Sequence, residues 1–386
     1  MLSGNSSSSA SNMISSPSTS PSSSVSSSAA VYLSPPSSTS DIPAWLLSTL
    51  MEYISYAVIL VGVFGIPGNI LIIRTYTKIG FSDSINISYC ALGVSDIFCI
   101  IFITWNAICF MPVFAESNLP IVASEIVIPT GGITSVIFID TTAWITAFVS
   151  LERCLCVVFP LKVKNIVTPT RTIVIIVSIF TLTSIPFASI MYYLYTLEVR
   201  FDTERNATIL GVRYRKSPTA VSVHNFNQVY KLVVMTLLPY TTILMCSVFL
   251  AVYLNRSVSW RFQNSGNVTN SNSLNIERKK RHRENTKEIR VAKTVLSIAT
   301  AFLILGAVGC LRLLVSIIWP QFRPLGHYGE TFRLVGRVGF LFSLSNSSVN
   351  FVIYYTMGTK FRQTVNDMFK SKTKWNDVSR KPLPRG

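Results

Sequence analysis

Long runs of apolar residues alternate with short polar segments along most of the chain. Each run has at least about 20 residues, the length that an α-helix needs to cross about 30 Å of hydrocarbon. The pattern predicts an all-α membrane protein, a seven-transmembrane helix bundle whose two ends lie on opposite sides of the membrane. The predicted spans are 53–76, 84–111, 124–158, 172–196, 229–254, 289–319 and 332–356.

The composition supports membrane insertion and argues against two or three soluble domains. Of the 386 residues, 49% are hydrophobic and 13% are charged, and the mean hydropathy is +0.45. Soluble domains carry about 25% charged residues. The first 40 residues include 20 Ser and have too little apolar surface to order themselves. We expect a disordered Ser-rich tail over 1–50, the helix bundle over 51–357, and a short amphipathic helix with a basic tail over 358–386.

The positively charged residues predict the orientation of the bundle. The net charge of +17 comes from 34 Lys and Arg, most of which fall between alternate spans and in the C-terminal tail. The positive-inside rule makes these segments cytosolic. The N-terminus is then extracellular and the C-terminus cytosolic, in the plasma membrane. Because these charges flank a lipid bilayer, nucleic acid is not an expected partner.

Sequons and cysteines bear on the extracellular face. Asn5 and Asn206 lie in predicted outer segments and match the acceptor pattern for N-glycosylation. All seven Cys fall within predicted spans. No disulfide is therefore expected between the outer loops.

Several polar side chains interrupt the apolar runs, namely Asn69, Asp96, Thr142, Asn346 and Asn350. Such groups are costly in hydrocarbon unless they meet a partner or a water-filled cavity. Hydrogen bonding between packed helices is one explanation. The carboxylate of Asp96 among hydroxyl and amide groups favours another, a buried site for a cation or a proton.

A group of charges lies where the third and sixth spans reach the cytosol. Glu125 and Arg153 are about 42 Å apart along a helix that rises about 1.5 Å per residue, so they lie at opposite faces of the membrane. Glu152 and Arg153 then form a charged pair at the cytosolic end. Glu288, at the start of the sixth span, is in position to meet Arg153. An ion pair between moving helices can bias a two-state equilibrium.

These residues resemble, in order, the motifs of rhodopsin-like (class A) G-protein-coupled receptors over about 53–369. Gly68-Asn69 is similar to the first-helix GN motif, Leu92-Gly-Val-Ser-Asp96 to the LAxxD motif, and Glu152-Arg153-Cys154 to the DRY motif. The other matches are Pro160-Leu161 after the third span, Pro239 in the fifth, Phe302 in the sixth, Asn350-Phe-Val-Ile-Tyr354 for NPxxY, and Lys360-Phe361-Arg362 after the seventh. The segment 346–362 resembles invertebrate FMRFamide and myosuppressin-type neuropeptide receptors.

The resemblance implies a receptor that binds an extracellular peptide or small-molecule agonist, foremost a neuropeptide, and activates a heterotrimeric G protein by rearranging its helices. It implies no enzymatic activity and no cofactor other than an allosteric sodium ion. The implied coupling switch consists of Glu152, Arg153, Glu288, Asn350 and Tyr354. The implied sodium site consists of Asp96, Thr142, Asn346 and Asn350.

The chain departs from the family pattern at its outer end. Ile128 stands where the third-helix Cys is expected, and Leu305-Gly-Ala-Val308 replaces the CWxP motif. Ser135 stands where aminergic receptors carry Asp, and residues 340–348 lack the Lys to which opsins attach retinal. Amines and retinal are therefore not expected as ligands.

Other functions stay open at this point. A chemosensory receptor of the same fold, for a small environmental ligand, is the nearest alternative. A membrane transporter is more distant, because no internal repeat is visible. An enzyme would need a cluster of reactive groups, and the three His, at 224, 282 and 327, are all in predicted loops.

The candidate ligand-binding residues point in two directions. Arg312, Arg333 and Arg337, at the outer ends of spans six and seven, favour an acidic peptide or a small anion. The alternative is that they pair with lipid phosphate or with nearby acidic residues, namely Glu198, Asp202, Glu204 and Glu330. Asp140, about 20 Å above Arg153, favours a cationic group, unless it makes internal hydrogen bonds. Ser135 completes the set.

Overall fold

The computed structural model describes residues 42–115, 117, 119–159, 163–203, 206–215, 217–264, 274–323 and 326–379. Within these ranges, residues 44, 115, 164, 257–264, 274–288 and 371–379 are described by their backbone alone. The predicted sequon at Asn5 lies outside the described residues, as does most of the predicted tail over 1–50.

Seven long helices form the bundle, which confirms the predicted fold class. Six of them are long and apolar enough to cross a membrane. The seventh has 29 residues and is long enough to cross, but it contains Arg333, Arg337 and several Ser and Asn that lower its hydropathy. We number the seven spans in chain order: Ala44–Ile79, Ser84–Cys109, Ala123–Val158, Pro169–Leu194, Pro218–Arg256, Leu274–Ile318 and Gly329–Met357. The C-terminal helix is Thr359–Ser379, and the short helices Pro112–Ala115 and Val163–Ile166 lie between spans.

The helix bounds differ from the predicted spans mainly at the ends. The first span already begins at Ala44, so the helix reaches into the segment predicted as tail. The sixth has 45 residues and begins 15 residues before the predicted apolar run, in polar sequence. Hydropathy marks only the part of a helix that lies in lipid, so it cannot locate polar extensions beyond the bilayer.

The third and fifth spans each contain a π-helical segment. In the third span, Ala123–Val127 and Thr134–Val158 are α-helical and Ile128–Ile133 is π-helical. In the fifth span, Lys231–Leu237 separates the helix Pro218–Tyr230 from the helix Leu238–Asn264, which continues beyond the end of the span at Arg256. Pro129 and Pro239 lie in or next to these segments; proline lacks a backbone N–H, and its ring displaces the carbonyl one turn earlier. Such widened turns are frequent at functional sites.

A β-hairpin between the fourth and fifth spans was not predicted. Tyr195–Asp202 pairs antiparallel with Ala207–Tyr214, and Glu198 lies opposite Gly211. The alternation of Leu197, Val199 and Phe201 with polar residues is the strand signal that the helix pattern obscured. Asn206, the second predicted sequon, is exposed in the turn with a φ of 47°, a conformation that Asn tolerates well.

Glycines bring the first span close to the second and seventh. A Cβ on Gly62 would lie 2.7 Å from the Thr104 hydroxyl. A Cβ on Gly65 would lie 2.8 Å from Ile100 Cδ1 and would overlap the hydroxyl of Ser348. Small residues at such positions let helices approach in a membrane, where no hydrophobic effect drives them together.

We expect Gly65→Ala to destabilise the bundle by about 1–3 kcal/mol, the range for overpacking a tight interior. The thermal unfolding temperature of the purified protein in detergent measures this effect. Gly309→Ala is the matched control, because a Cβ at that helical position would meet nothing within 4 Å. Equal unfolding temperatures for the two variants would contradict the close packing of the first span.

Candidate functional site

A cavity of about 870 Å³ lies among the third to seventh spans. It extends from the end of the bundle that carries the hairpin to the middle of the helices. Its apolar wall includes Ile137, Phe187, Met235 and Phe302, and its charged or polar lining includes Asp140, His224, Lys231, Arg312 and Arg323. Cavities of about 300–1,000 Å³ with a few polar groups are typical of small-molecule sites.

Asp140 lines the cavity and is paired with a cation of the protein itself. The carboxylate accepts a hydrogen bond from the Lys231 ammonium and forms an ion pair with it. The pair joins the third span to the π-helical segment of the fifth. The predicted span 229–254 includes Lys231 near its start, but the helix begins earlier, at Pro218, so Lys231 lies well within the fifth span.

The three candidate arginines lie in different surroundings. Arg312 lines the cavity, and its guanidinium carbon lies 4.5 Å from the centre of the Phe332 ring. Arg333 forms an ion pair with Glu330 on its own helix. This is the alternative in which an arginine pairs with an acidic residue of the protein. Arg337 points to the second span, where it donates to the Asn106 side chain and lies 3.6 Å from the centre of the Phe110 ring.

Two further predicted features need correction. Ser135 is fully buried, and its hydroxyl donates to the Gly132 carbonyl at 2.8 Å. Its proton is therefore used within its own helix, and it is not among the cavity-lining residues. His224 was assigned to a loop, but it lies in the helical fifth span and lines the cavity.

Asp96 joins three spans below the cavity. Its side chain accepts hydrogen bonds from Thr142 of the third span at 3.1 Å and from Asn350 of the seventh at 2.8 Å. Ser95 adds a hydroxyl contact to Thr142 at 3.0 Å. The carboxylate is fully buried. Its hydrogen-bond partners among the described residues are neutral, so they compensate its desolvation only in part.

Three of the four predicted sodium-site residues are therefore brought together. The fourth, Asn346, is buried on the seventh span and lines the cavity; the described contacts include no hydrogen bond from it to Asp96. The Oδ1 atom of Asn350 is buried and has no hydrogen-bond partner among the described residues. An unpartnered carbonyl oxygen beside a carboxylate and a hydroxyl is a donor set that suits a hard cation.

Most of the predicted switch residues lie at the opposite end of the bundle from the hairpin, whereas Asn350 lies in the Asp96 network. Arg153 donates to Glu152 at 2.8 Å, with 10% and 1% of the two side chains exposed. Ser84, at the start of the second span, donates to the same carboxylate oxygen. Glu288 lies in the sixth span, but its side chain is outside the described residues, so its predicted contact with Arg153 stays a prediction.

Tyr354 packs into a cluster of rings at this same end. Its ring centre lies 4.7 Å from that of Tyr89, 5.5 Å from Tyr76 and 5.7 Å from Phe361. The cluster joins the first, second and seventh spans to the C-terminal helix. The buried hydroxyl groups of Tyr89 and Tyr354 have no hydrogen-bond partner among the described residues.

Glu125 attaches the hairpin to the N-terminal end of the third span. One carboxylate oxygen accepts a hydrogen bond from the backbone N–H of Val212 at 2.9 Å, and the other accepts from Arg200 at 2.6 Å. Gly211 permits this approach, because a Cβ there would overlap the carboxylate. Backbone hydrogen bonds from Leu210 to Pro120 at 2.8 Å and from Val122 to Leu210 at 3.0 Å continue the attachment. These contacts occupy the region where class A receptors carry a disulfide.

A seven-helix bundle with a central cavity at one end and a buried Glu-Arg pair at the other is the arrangement of a G-protein-coupled receptor. Residues 56–372 match the family described as serpentine type 7TM GPCR chemoreceptor Srw. The chain belongs to this family, which is one of receptors rather than enzymes. A search of curated proteins finds no match. The family match supports the chemosensory alternative better than the FMRFamide-type neuropeptide assignment, which rested on one segment of the seventh span.

We expect Glu125→Gln to loosen the hairpin, because the amide loses the ion pair with Arg200 and can accept only through one oxygen. Hydrogen exchange of the amides in Ala207–Tyr214 should become faster, and the loss of stability should be about 1–3 kcal/mol, below the full value of a buried ion pair because Arg200 is partly exposed.

Glu198→Gln is the control, since its pair with Arg213 at 2.5 Å is partly exposed to solvent, with 58% of the Arg213 side chain and 28% of the Glu198 side chain accessible, and is worth about 0–1 kcal/mol. Similar exchange rates in the two variants would show that Glu125 does not hold the hairpin.

Proposed function

We propose that this protein is a chemosensory G-protein-coupled receptor that binds a small extracellular ligand in the cavity and activates a heterotrimeric G protein. The observation that carries the proposal is the shared boundary between the cavity and the Asp96 network. Thr142 lines the cavity and donates to Asp96 at 3.1 Å, and Ser347 and Asn346 line the same part of the cavity. A ligand that moves these side chains alters contacts among the second, third and seventh spans.

The proposed orientation puts the cavity and the hairpin outside the cell. It rests on the positive-inside rule, because the segments around Arg153, 256–293 and 360–385 are rich in Lys and Arg. The protein would lie in the plasma membrane with its N-terminus extracellular, and Asn206 in the hairpin turn would be available for glycosylation. The division into a tail over 1–50, a receptor domain over 51–357 and a cytosolic segment over 358–386 belongs to the same proposal.

Activation would convert one helix packing into another. In the described arrangement Arg153 is held by Glu152, and Tyr354 is held in the ring cluster. Ligand binding would release Arg153 from Glu152 and Glu288 to contact the G protein, while Asn350 and Tyr354 repack towards it. The hydrogen bond from Asn350 to Asp96 at 2.8 Å connects this change to the cavity.

The proposal includes a sodium ion held by Asp96, Thr142 and Asn350, with Asn346 as the remaining candidate. Bound there, the ion would supply the positive charge that the neutral partners of Asp96 lack. Asp96 and the unpartnered Oδ1 of Asn350 would then fix the second span against the seventh in the inactive packing.

A small ligand is preferred to a neuropeptide for two reasons. The family match covers most of the chain, whereas the neuropeptide resemblance covers one segment. The cavity volume of about 870 Å³ is also that of a small-molecule site.

Basal nucleotide exchange on a panel of G proteins tests the coupling without any ligand. We expect Glu288→Ala to raise basal exchange, because it removes a restraint on Arg153, and Arg153→Ala to show little or none. Glu198→Ala, at the hairpin, should behave as the wild type. If all these proteins reach the cell surface and none stimulates exchange, the coupling proposal fails.

Sodium should stabilise the receptor through Asp96. We expect a higher unfolding temperature in sodium chloride than in choline chloride at equal ionic strength, and no such difference for Asp96→Asn. Asp140→Asn is the matched control, since it changes another buried carboxylate, one whose partner is a lysine. We expect this variant to keep the sodium effect. A sodium effect that survives in Asp96→Asn would place the ion elsewhere.

A further inference from the structure

We infer that the cavity recognises a small organic anion, an apolar body carrying one carboxylate or a similar oxyanion, and that the guanidinium of Arg312 binds the anionic group. This inference rests on the proposed function, because it takes the cavity as the ligand site. It also decides between the two ligand charges that the sequence left open.

Among the described residues, Arg312 is the charged side chain of the cavity for which no hydrogen-bond acceptor is found. Asp140 and Lys231 are paired with each other, and Arg323 donates to the Ser316 carbonyl at 2.7 Å. Among the described residues, Arg312 has no ion pair and no hydrogen bond, and its guanidinium lies over the Phe332 ring. A cation at this depth is costly unless something compensates its charge.

The contact with Phe332 leaves the donors of Arg312 available. A ring 4.5 Å from the guanidinium carbon stabilises the cation through its π-face, but it accepts none of the five N–H donors. Gly336 adds room beside the guanidinium, since a Cβ there would lie 3.7 Å from the guanidinium carbon. The guanidinium fork matches a carboxylate, sulfate or phosphate through two parallel hydrogen bonds.

The charge balance of the cavity also favours an anion. Lys231 neutralises Asp140, so a cationic ligand would have to compete for Asp140 with a lysine that belongs to the protein itself. The remaining charged groups of the lining, Arg312 and Arg323, are both positive. A positive lining within low-dielectric walls attracts anions and repels cations.

The rest of the lining defines the other part of the ligand. Phe187, Ile190, Met235 and Leu313 form apolar wall, and their surface is filled best by an alkyl or aryl group. The ligand class is therefore an amphipathic organic anion that fits within about 870 Å³.

Matched sets of three probes test the charge of the ligand directly. Each set has the same alkyl or aryl body with a carboxylate, a primary amide or a primary amine; 6-phenylhexanoate, 6-phenylhexanamide and 6-phenylhexylamine form one set. Thermal stabilisation of the purified full-length receptor, followed by titration, identifies the binders. We expect stabilisation by carboxylates over their amides and amines. Stabilisation mainly by amines or amides, or by no probe at millimolar concentration, would overturn the inference.

Variants then test whether Arg312 is responsible. We expect Arg312→Gln to weaken carboxylate binding about 10- to 100-fold, as for the loss of hydrogen bonds to a charged group. Arg312→Lys keeps the charge but not the fork and should lie between. Arg213→Gln removes a positive charge from the exposed hairpin, where 58% of the Arg213 side chain is accessible, and should bind as the wild type. Carboxylate binding that is unchanged in a folded Arg312→Gln protein would also overturn the inference.

These measurements need no G protein, so their outcome is separate from that of basal exchange. Arg312-dependent binding together with silent basal exchange would leave the ligand class standing and remove the coupling proposal. Coupling without carboxylate binding would leave the coupling proposal standing and remove the proposed ligand class.

Discussion

The carboxylate of Asp96 is the constraint around which the bundle is organised. A fully buried acid in the middle of a membrane protein has to find all its partners within the bundle. It finds them on two other spans, in Thr142 and Asn350. Asn69 of the first span donates to the Ser347 carbonyl at 2.8 Å, one helical turn before Asn350. Four of the seven spans are thus connected through hydrogen bonds around Asp96. A displacement of any one of these spans would change its hydrogen bonds to the others.

The same need for hydrogen-bond partners within the protein explains how the end of the bundle that carries the hairpin is held together. In class A receptors a disulfide attaches the second outer loop to the third helix. Here the loop forms its own backbone hydrogen bonds as a hairpin, and the carboxylate of Glu125 accepts from Val212 and Arg200. The sixth span lacks the CWxP proline, but Gly306, within the segment that replaces it, permits contact with the Tyr240 hydroxyl of the fifth span. Noncovalent contacts are thus found at the two places where class A receptors have a disulfide and a proline kink.

Features that depend on local composition could be predicted from the sequence, whereas features that depend on pairing between distant residues could not. The seven apolar runs, the buried Asp96 and the Glu152-Arg153 pair can all be read from single segments. The hairpin was missed because its alternating pattern lies between two strong helix signals. The partner of Lys231 could not be predicted, because the charge of this lysine is satisfied by Asp140, 91 residues earlier in the sequence. The separate surroundings of Arg312, Arg333 and Arg337 follow from which helix each one faces, which spacing along one helix does not determine.

If the cavity binds an anion as proposed, the Asp140–Lys231 pair would contribute both to its selectivity and to its response. It joins the third span to the π-helical segment of the fifth, and such segments are frequent at functional sites. An anion held by Arg312 on the sixth span adds a negative charge to a site where Lys231 already balances one. The attraction between that anion and Lys231 competes with the existing pair. The electrostatic contacts among the third, fifth and sixth spans would then change. These same helices connect the cavity to the end of the bundle that carries Arg153.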